Sequence, residues 1–320
     1  MKRVLSLLVF VMALNSCNDG DLVLETINFD TVETKSCSTN DILYKLKEKE
    51  ALLLEIPKTF FVNEPTLVGK PAEIAISGSN RVVYRFYNGT VAASTICETI
   101  PPTTPNATDQ WAATGGTIQI TTTTVKTTDA TTNRTTITGY NHNIVFKNIT
   151  FLKSDGTFIK YETFPFGDYV MPATSLPFAF DKTLEQCNTS TSKQIYNYTS
   201  SEALTLDIDP LLLSTAVINV PKTGLISATV NKLRYRLFSG LLTGSYFCNP
   251  TEPTSPIINE EWNAVAGVQD VSGIVEVTKT TDVPGVFKYT IVLKKVTFKR
   301  GNSDFKLGDS YEYGILLSSN

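Results

Sequence analysis

Much of the chain alternates between apolar and polar residues with a period of two, which is the spacing of a strand with one buried face. Alternating or β-branched runs occupy residues 81–87, 116–128, 135–150, 216–220, 232–238, 273–281 and 287–298. No stretch keeps a helical period between recognisable caps. The pattern therefore predicts an all-β protein with antiparallel sheets.

The sequence contains an internal duplication. Residues 84–116 match residues 235–267 without a gap, at 11 identical positions of 33. Further matches, such as residues 144–151 with 291–298, follow in the same order. This order indicates two tandem copies, with one domain over residues 26–170, a proline-containing linker over 171–177 and a second domain over 178–320.

The two copies help to assign ambiguous segments, because both must share one fold. Residues 42–56 could form a helix by composition, but their counterpart at 195–208 alternates around a polar turn, so both segments are predicted to be hairpins. The segment 114–138 holds 13 threonines in 25 residues and fits either a glycosylated low-complexity tract or strand-turn-strand. The corresponding segment of the second copy, residues 271–281, has the usual composition of a strand, which favours the strand interpretation. Each copy is predicted to be an antiparallel, immunoglobulin-like β-sandwich.

The N-terminus has the pattern of a secretory signal. Lys2 and Arg3 precede an apolar run over residues 4–14 that is too short to span a bilayer. Leu14-Asn15-Ser16-Cys17 resembles a bacterial lipobox, and the acidic residues that follow resemble the export signal of surface lipoproteins of Bacteroidota. The resemblance implies a signal peptide over residues 1–16, a lipidated Cys17, a tether over 17–25 and a place on the outer membrane facing the cell exterior. An ordinary polar tether is the alternative to the export signal.

Four cysteines remain after Cys17. Cys37 and Cys97 occupy places in the first copy that match Cys187 and Cys248 in the second. A duplicated domain is expected to keep its bridge, so the predicted disulfides are Cys37–Cys97 and Cys187–Cys248. Buried thiols are the alternative; zinc is disfavoured because no C-x₂-C spacing occurs.

Composition and motifs argue against catalysis and nucleic-acid binding. The 28 basic and 31 acidic residues leave a net charge of −3, so the chain lacks the excess of basic residues that is typical of nucleic-acid-binding proteins. The single histidine, His142, is predicted to be a surface or turn residue, and no catalytic or nucleotide-binding motif is present. The acid pairs Asp207/Asp209 and Glu260/Glu261 could serve a glycosidase but are interpreted as solvated acids. We expect no enzyme, no metal and no cofactor beyond the covalent lipid.

Four residues remain as binding candidates. Trp111 and Trp262 each lie 14 residues after a predicted bridging cysteine. A core position against the disulfide is the favoured interpretation, and an exposed sugar platform or protein contact is the alternative. Arg85 and Arg236 alternate with apolar strand residues, so they are expected to point outward or to pair across strands, with a role in an interface as a weaker option.

These observations favour a non-catalytic surface lipoprotein that acts as an interaction subunit of an outer-membrane complex. The expected partners are an outer-membrane β-barrel protein, other surface lipoproteins, and the membrane through the lipid. A glycan-binding lipoprotein of a polysaccharide uptake system is the alternative function, and a hydrolase ranks third.

Overall fold

The computed structural model describes residues 26–187 and 194–319, and it is nearly all β with antiparallel sheets. The predicted signal peptide, Cys17 and the rest of the tether lie outside the described residues. Residues 26–172 are called the first half here and residues 178–319 the second half.

The first half forms one eight-stranded sheet. Its strands pair in the order β1-β2-β3-β5-β6-β7-β8, and β4 joins β6 at a separate place. The elements are β1 (Lys35–Ser36), β2 (Ile42–Lys47), β3 (Glu50–Glu55), β4 (Ala72–Ala75), β5 (Arg81–Tyr87), α1 (Ala93–Cys97), β6 (Ala107–Thr128), β7 (Thr135–Leu152) and β8 (Phe158–Pro172), with a 3-10 turn at Lys58–Phe60.

The second half forms two sheets, one of seven strands in the order β18-β17-β14-β13-β11-β10-β9 and one of four in the order β12-β15-β16-β19. Its elements are β9 (Glu185–Gln186), β10 (Ile195–Tyr198), β11 (Glu202–Asp207), α2 (Pro210–Ser214), β12 (Lys222–Leu225), β13 (Lys232–Phe238), a 3-10 turn at Gly244–Tyr246, β14 (Ile258–Ala264), β15 (Ile274–Val283), β16 (Val286–Lys294), β17 (Thr297–Arg300), β18 (Ser303–Lys306) and β19 (Ser310–Ser319).

The pairing orders of the halves correspond strand by strand. Where β6, β7 and β8 run without interruption in the first half, the second half has the broken pairs β14/β15, β17/β16 and β18/β19. The long β6 bends through register shifts near Gly116. Gly116 has a φ of +124°, and a Cβ there would lie 2.8 Å from the Cα of Ile149, so only glycine fits the bend.

Both faces of the β2-β3-β5 region are buried. Leu52 and Leu54 of β3 belong to the main core, whereas Ala51 and Leu53 pack on the other face with Cys37. Burial on both faces explains why residues 51–54 form an unbroken apolar run rather than an alternating one. The hairpins predicted at 42–56 and 195–208 are confirmed as β2–β3 and β10–β11.

The threonine-rich segment forms the long β6–β7 hairpin, so the strand interpretation is confirmed. The far end of this hairpin packs into the second half, where Ile137 and Tyr140 belong to the second half's core. The Tyr140 hydroxyl lies 3.2 Å from Ser303 Oγ, and Lys126 Nζ lies 3.0 Å from a carboxylate oxygen of Asp304. The hairpin therefore fastens the two halves together.

Candidate functional site

Each half contains one disulfide, with the pairing that the sequence predicts. Cys37 is bonded to Cys97 and Cys187 to Cys248, and the Cα atoms are 5.3 Å apart in both bridges. The first bridge joins the segment between β1 and β2 to the end of α1, and the second joins the residue after β9 to the segment between the 3-10 turn and β14. The outer face of each sheet is the face turned away from the main core. In the first half, Cys37 and Cys97 belong to the apolar cluster on this outer face.

The two tryptophans are buried, so neither forms an exposed sugar platform. Trp111 is 4% exposed and Trp262 2% exposed, and both belong to the main cores. The expected packing against a disulfide is wrong, however. Cys37 lies in a separate cluster on the opposite face of the sheet from Trp111.

Both tryptophans have equivalent polar surroundings. The indole N–H donates to a carboxylate two residues earlier, at 2.9 Å to Asp109 in the first half and 3.0 Å to Glu260 in the second. A cation lies over each ring, Lys153 at 4.6 Å from Trp111 and Arg300 at 4.9 Å from Trp262. These contacts satisfy the buried N–H and assign both tryptophans a structural role.

The two candidate arginines pair across neighbouring strands. Arg85 Nε donates to Gln110 Oε1 at 2.7 Å, and Arg236 Nε donates to Glu261 Oε2 at 2.6 Å. Each partner stands directly opposite on the next strand. Arg236 is buried, with a side chain only 9% exposed, and it also contacts Glu252 at 3.1 Å. The Arg236 guanidinium helps hold the pKa of the Glu261 carboxyl below its usual range, against the effect of burial.

Arg236 lines a polar pocket of about 240 Å³ on the outer face of the second half. This arginine pocket is lined by Gln194, Arg234, Arg236, Tyr246, Phe247, Asn249, Pro250 and Glu252. Arg234 contacts Asp207 at 3.4 Å, but its buried Nε has no hydrogen-bond partner among the described residues. The sequence indicated only Arg236. Tyr246, Phe247, Asn249, Pro250 and Glu252 reach it through the segment around the disulfide-bonded Cys248, which no local pattern indicates.

His142 is a core residue, so its predicted surface position is wrong. It lies within β7, is fully buried, and its Nδ1 is 2.9 Å from Thr122 Oγ1. Burial lowers the pKa of its imidazole from 6.5 to about 4. The ring packs edge-on against Phe61 at 5.3 Å. A neutral imidazole enclosed by aromatic rings has no access to a substrate.

The acid pairs have structural partners rather than being simply solvated. Asp207 accepts from Gln194, and Asp209 caps α2 through the backbone N–H of Leu211 at 3.0 Å. Glu260 and Glu261 bind the indole of Trp262 and the guanidinium of Arg236, as described above. Within residues 26–187 and 194–319 no group of three or more metal-ligating side chains is placed to hold an ion. No helix in the same residues has the length and hydropathy of a membrane span.

The first half contacts the second half at one of its ends. The corresponding end of the second half carries exposed apolar side chains. In the first half, Glu64 and Pro65 contact Asn302 of the second half at 2.5 and 2.8 Å. The matching residues, aligned by the bonds Thr66 N to Thr122 O and Asn219 N to Lys279 O, are Val217 and Ile218. They are 64% and 45% exposed, and Leu211 and Val220 of the same loop are 58% and 52% exposed. Residues 211–220, which comprise most of α2 and the chain that follows it, are called the free apolar loop here.

Comparison of the chain with protein-family models, curated proteins and solved structures finds no match.

Proposed function

We propose that the protein is a non-catalytic surface lipoprotein, anchored through Cys17 and built from two duplicated immunoglobulin-like sandwich domains over residues 26–170 and 178–320. Its role is that of an interaction subunit in an outer-membrane complex, with a β-barrel protein or another surface lipoprotein as its partner. The corresponding strand orders, the matched disulfides and the equivalent tryptophan surroundings support the duplication.

The free apolar loop is the observation that carries this function. In the first half, Glu64 and Pro65 of the matching segment contact Asn302, and Val62, Leu67 and Val68 beside them are exposed. In the second half, four aliphatic side chains of the free apolar loop are exposed, and the aligned residues Val217 and Ile218 are among them. Clustered exposed apolar side chains are characteristic of protein contact sites. The hairpin that fastens the halves gives such a contact a firm support, because a preformed surface loses less conformational entropy on binding.

A catalytic role has little support. The one histidine is enclosed and neutral, and the four acids considered for hydrolysis already bind indole, amide, guanidinium or backbone groups. The burial of both tryptophans gives no support to sugar binding through them. A sugar-binding function would have to use the arginine pocket instead.

The test is affinity purification of the tagged, full-length protein from its own outer membrane, with the co-purifying proteins identified by mass spectrometry. We expect a barrel protein or a lipoprotein in stoichiometric amount, and we expect Val217→Glu to lose it by at least tenfold. Val268→Glu is the matched control, because Val268 is similarly exposed at 55% but lies outside the free apolar loop. Recovery of the protein alone refutes the function, and a partner retained by Val217→Glu refutes the assignment of this face.

A further inference from the structure

At the position of Arg234, the arginine pocket of the second half is charged where the first half is apolar. By strand register and sequence match, Arg234 corresponds to Val83, and Phe247 to Ile96. Val83 and Ile96 are buried in the apolar cluster that contains Cys37. The two halves therefore differ at one position, where a buried valine in the first half is a guanidinium in the second, whereas Arg236 corresponds to Arg85 and Phe247 remains apolar.

This replacement opposes stability. Moving charged groups out of water is costly, and apolar residues in the same place would carry no comparable cost. Arg234 and Arg236 have side chains only 16% and 9% exposed, and the buried Nε of Arg234 lacks a partner in the described part of the chain. A buried donor without an acceptor is a group that a bound oxygen would satisfy.

Both guanidinium groups of the pocket are paired with carboxylates before any ligand arrives. Arg234 contacts Asp207, and Arg236 contacts both Glu252 and Glu261. The two guanidinium groups therefore face three carboxylates, and an anionic ligand gains no net attraction. What remains is the unpartnered Nε of Arg234, the carboxylate oxygens and the Oδ1 of Asn249 at the rim, whose Nδ2 donates to Ser245 O at 2.6 Å, with the rings of Tyr246 and Phe247 in the wall.

We propose that this pocket binds one ring of a neutral saccharide. A sugar ring presents hydroxyl groups that both accept from guanidinium N–H groups and donate to carboxylates, and it has an apolar C–H face for an aromatic ring. The volume of about 240 Å³ lies just below the range of about 300–1,000 Å³ typical of drug-sized ligands, so it suits a single ring. This site goes beyond the proposed interaction function and lies outside the free apolar loop.

The experiment is NMR of the mature protein labelled with ¹⁵N-arginine, which observes the Nε–H groups of Arg234 and Arg236. The probes are maltohexaose, laminarihexaose, cellohexaose and xylohexaose, with hexagalacturonate as the acidic comparison. We expect at least one neutral oligosaccharide to shift the Arg234 Nε–H signal in a saturable way, and we expect the affinity to be unchanged between 50 and 500 mM salt.

Variants separate a binding role from a folding role. Arg234→Met should weaken binding of that probe at least tenfold without lowering the melting temperature, because an apolar side chain at this buried position carries no comparable desolvation cost. Arg85→Met, at the place in the first half that matches Arg236, should bind normally. The proposal is overturned if no neutral probe shifts the signal, if hexagalacturonate alone binds, or if Arg234→Met binds as the unmodified protein does. None of these results bears on partner capture through Val217.

Discussion

Truncation of Ile137 tests whether the β6–β7 hairpin couples the two halves. Ile137 is carried by the first half, is 8% exposed and packs in the core of the second half. Ile137→Ala removes three carbon groups at about 0.8 kcal/mol each, or about 2.4 kcal/mol, and the remaining cavity raises the loss to about 3–4 kcal/mol. Most of this loss falls on the contact between the halves rather than on either core.

The assay is differential scanning calorimetry of the mature protein. We expect the unmodified protein to unfold in one transition and Ile137→Ala to unfold in two, because the free energy that couples the halves is reduced. Ile118→Ala is the control, since Ile118 is fully buried in the core of the first half. It should lower the melting temperature and leave one transition. If both variants give a single transition of the same shape, the hairpin does not couple the halves.

Two further predictions follow from the cores. Replacing Cys37 and Cys97 by serine opens a loop with a sequence separation of 60 residues. In the chain-entropy model the free energy of unfolding, measured in urea, should fall by about 4 kcal/mol. An unchanged urea midpoint would contradict this prediction. Burial lowers the pKa of His142 to about 4, so the neutral imidazole contributes fully to the free energy of unfolding above pH 6.5. As the pH falls from 6.5 to 4, that free energy should fall by about 1.4 kcal/mol per pH unit. His142→Gln should remove this part of the pH dependence, and equal slopes for both proteins would disprove the assignment.

The sequence was sufficient for the strands and the disulfides because both depend on repeated local signals. Period-two alternation predicts a strand whatever lies against it, and the internal match carried that assignment to residues 42–56. The same match limited four cysteines to one symmetric pairing. The apolar run at 51–54 was harder, because burial on both faces removes the alternation.

The sequence was insufficient for contacts that join distant segments. His142 stands in an alternating strand, and only the packing of Phe61 and Tyr169 over it makes its face an interior one. The tryptophan pattern could not tell which side of the sheet the disulfide covers. The arginine pocket and the docking of the hairpin both depend on segments more than 100 residues apart or on loop geometry, which leave no periodic trace.

The difference between continuous and broken strands has a mechanical consequence. In the first half, β6, β7 and β8 continue along the sheet without a break, so a pulling force along them must break many backbone hydrogen bonds at once. In the second half the corresponding strands stop and restart around residues 264–274, 294–297 and 306–310. Under tension the second half should therefore yield first, at these gaps, and act as the extensible element in series with a stiffer one.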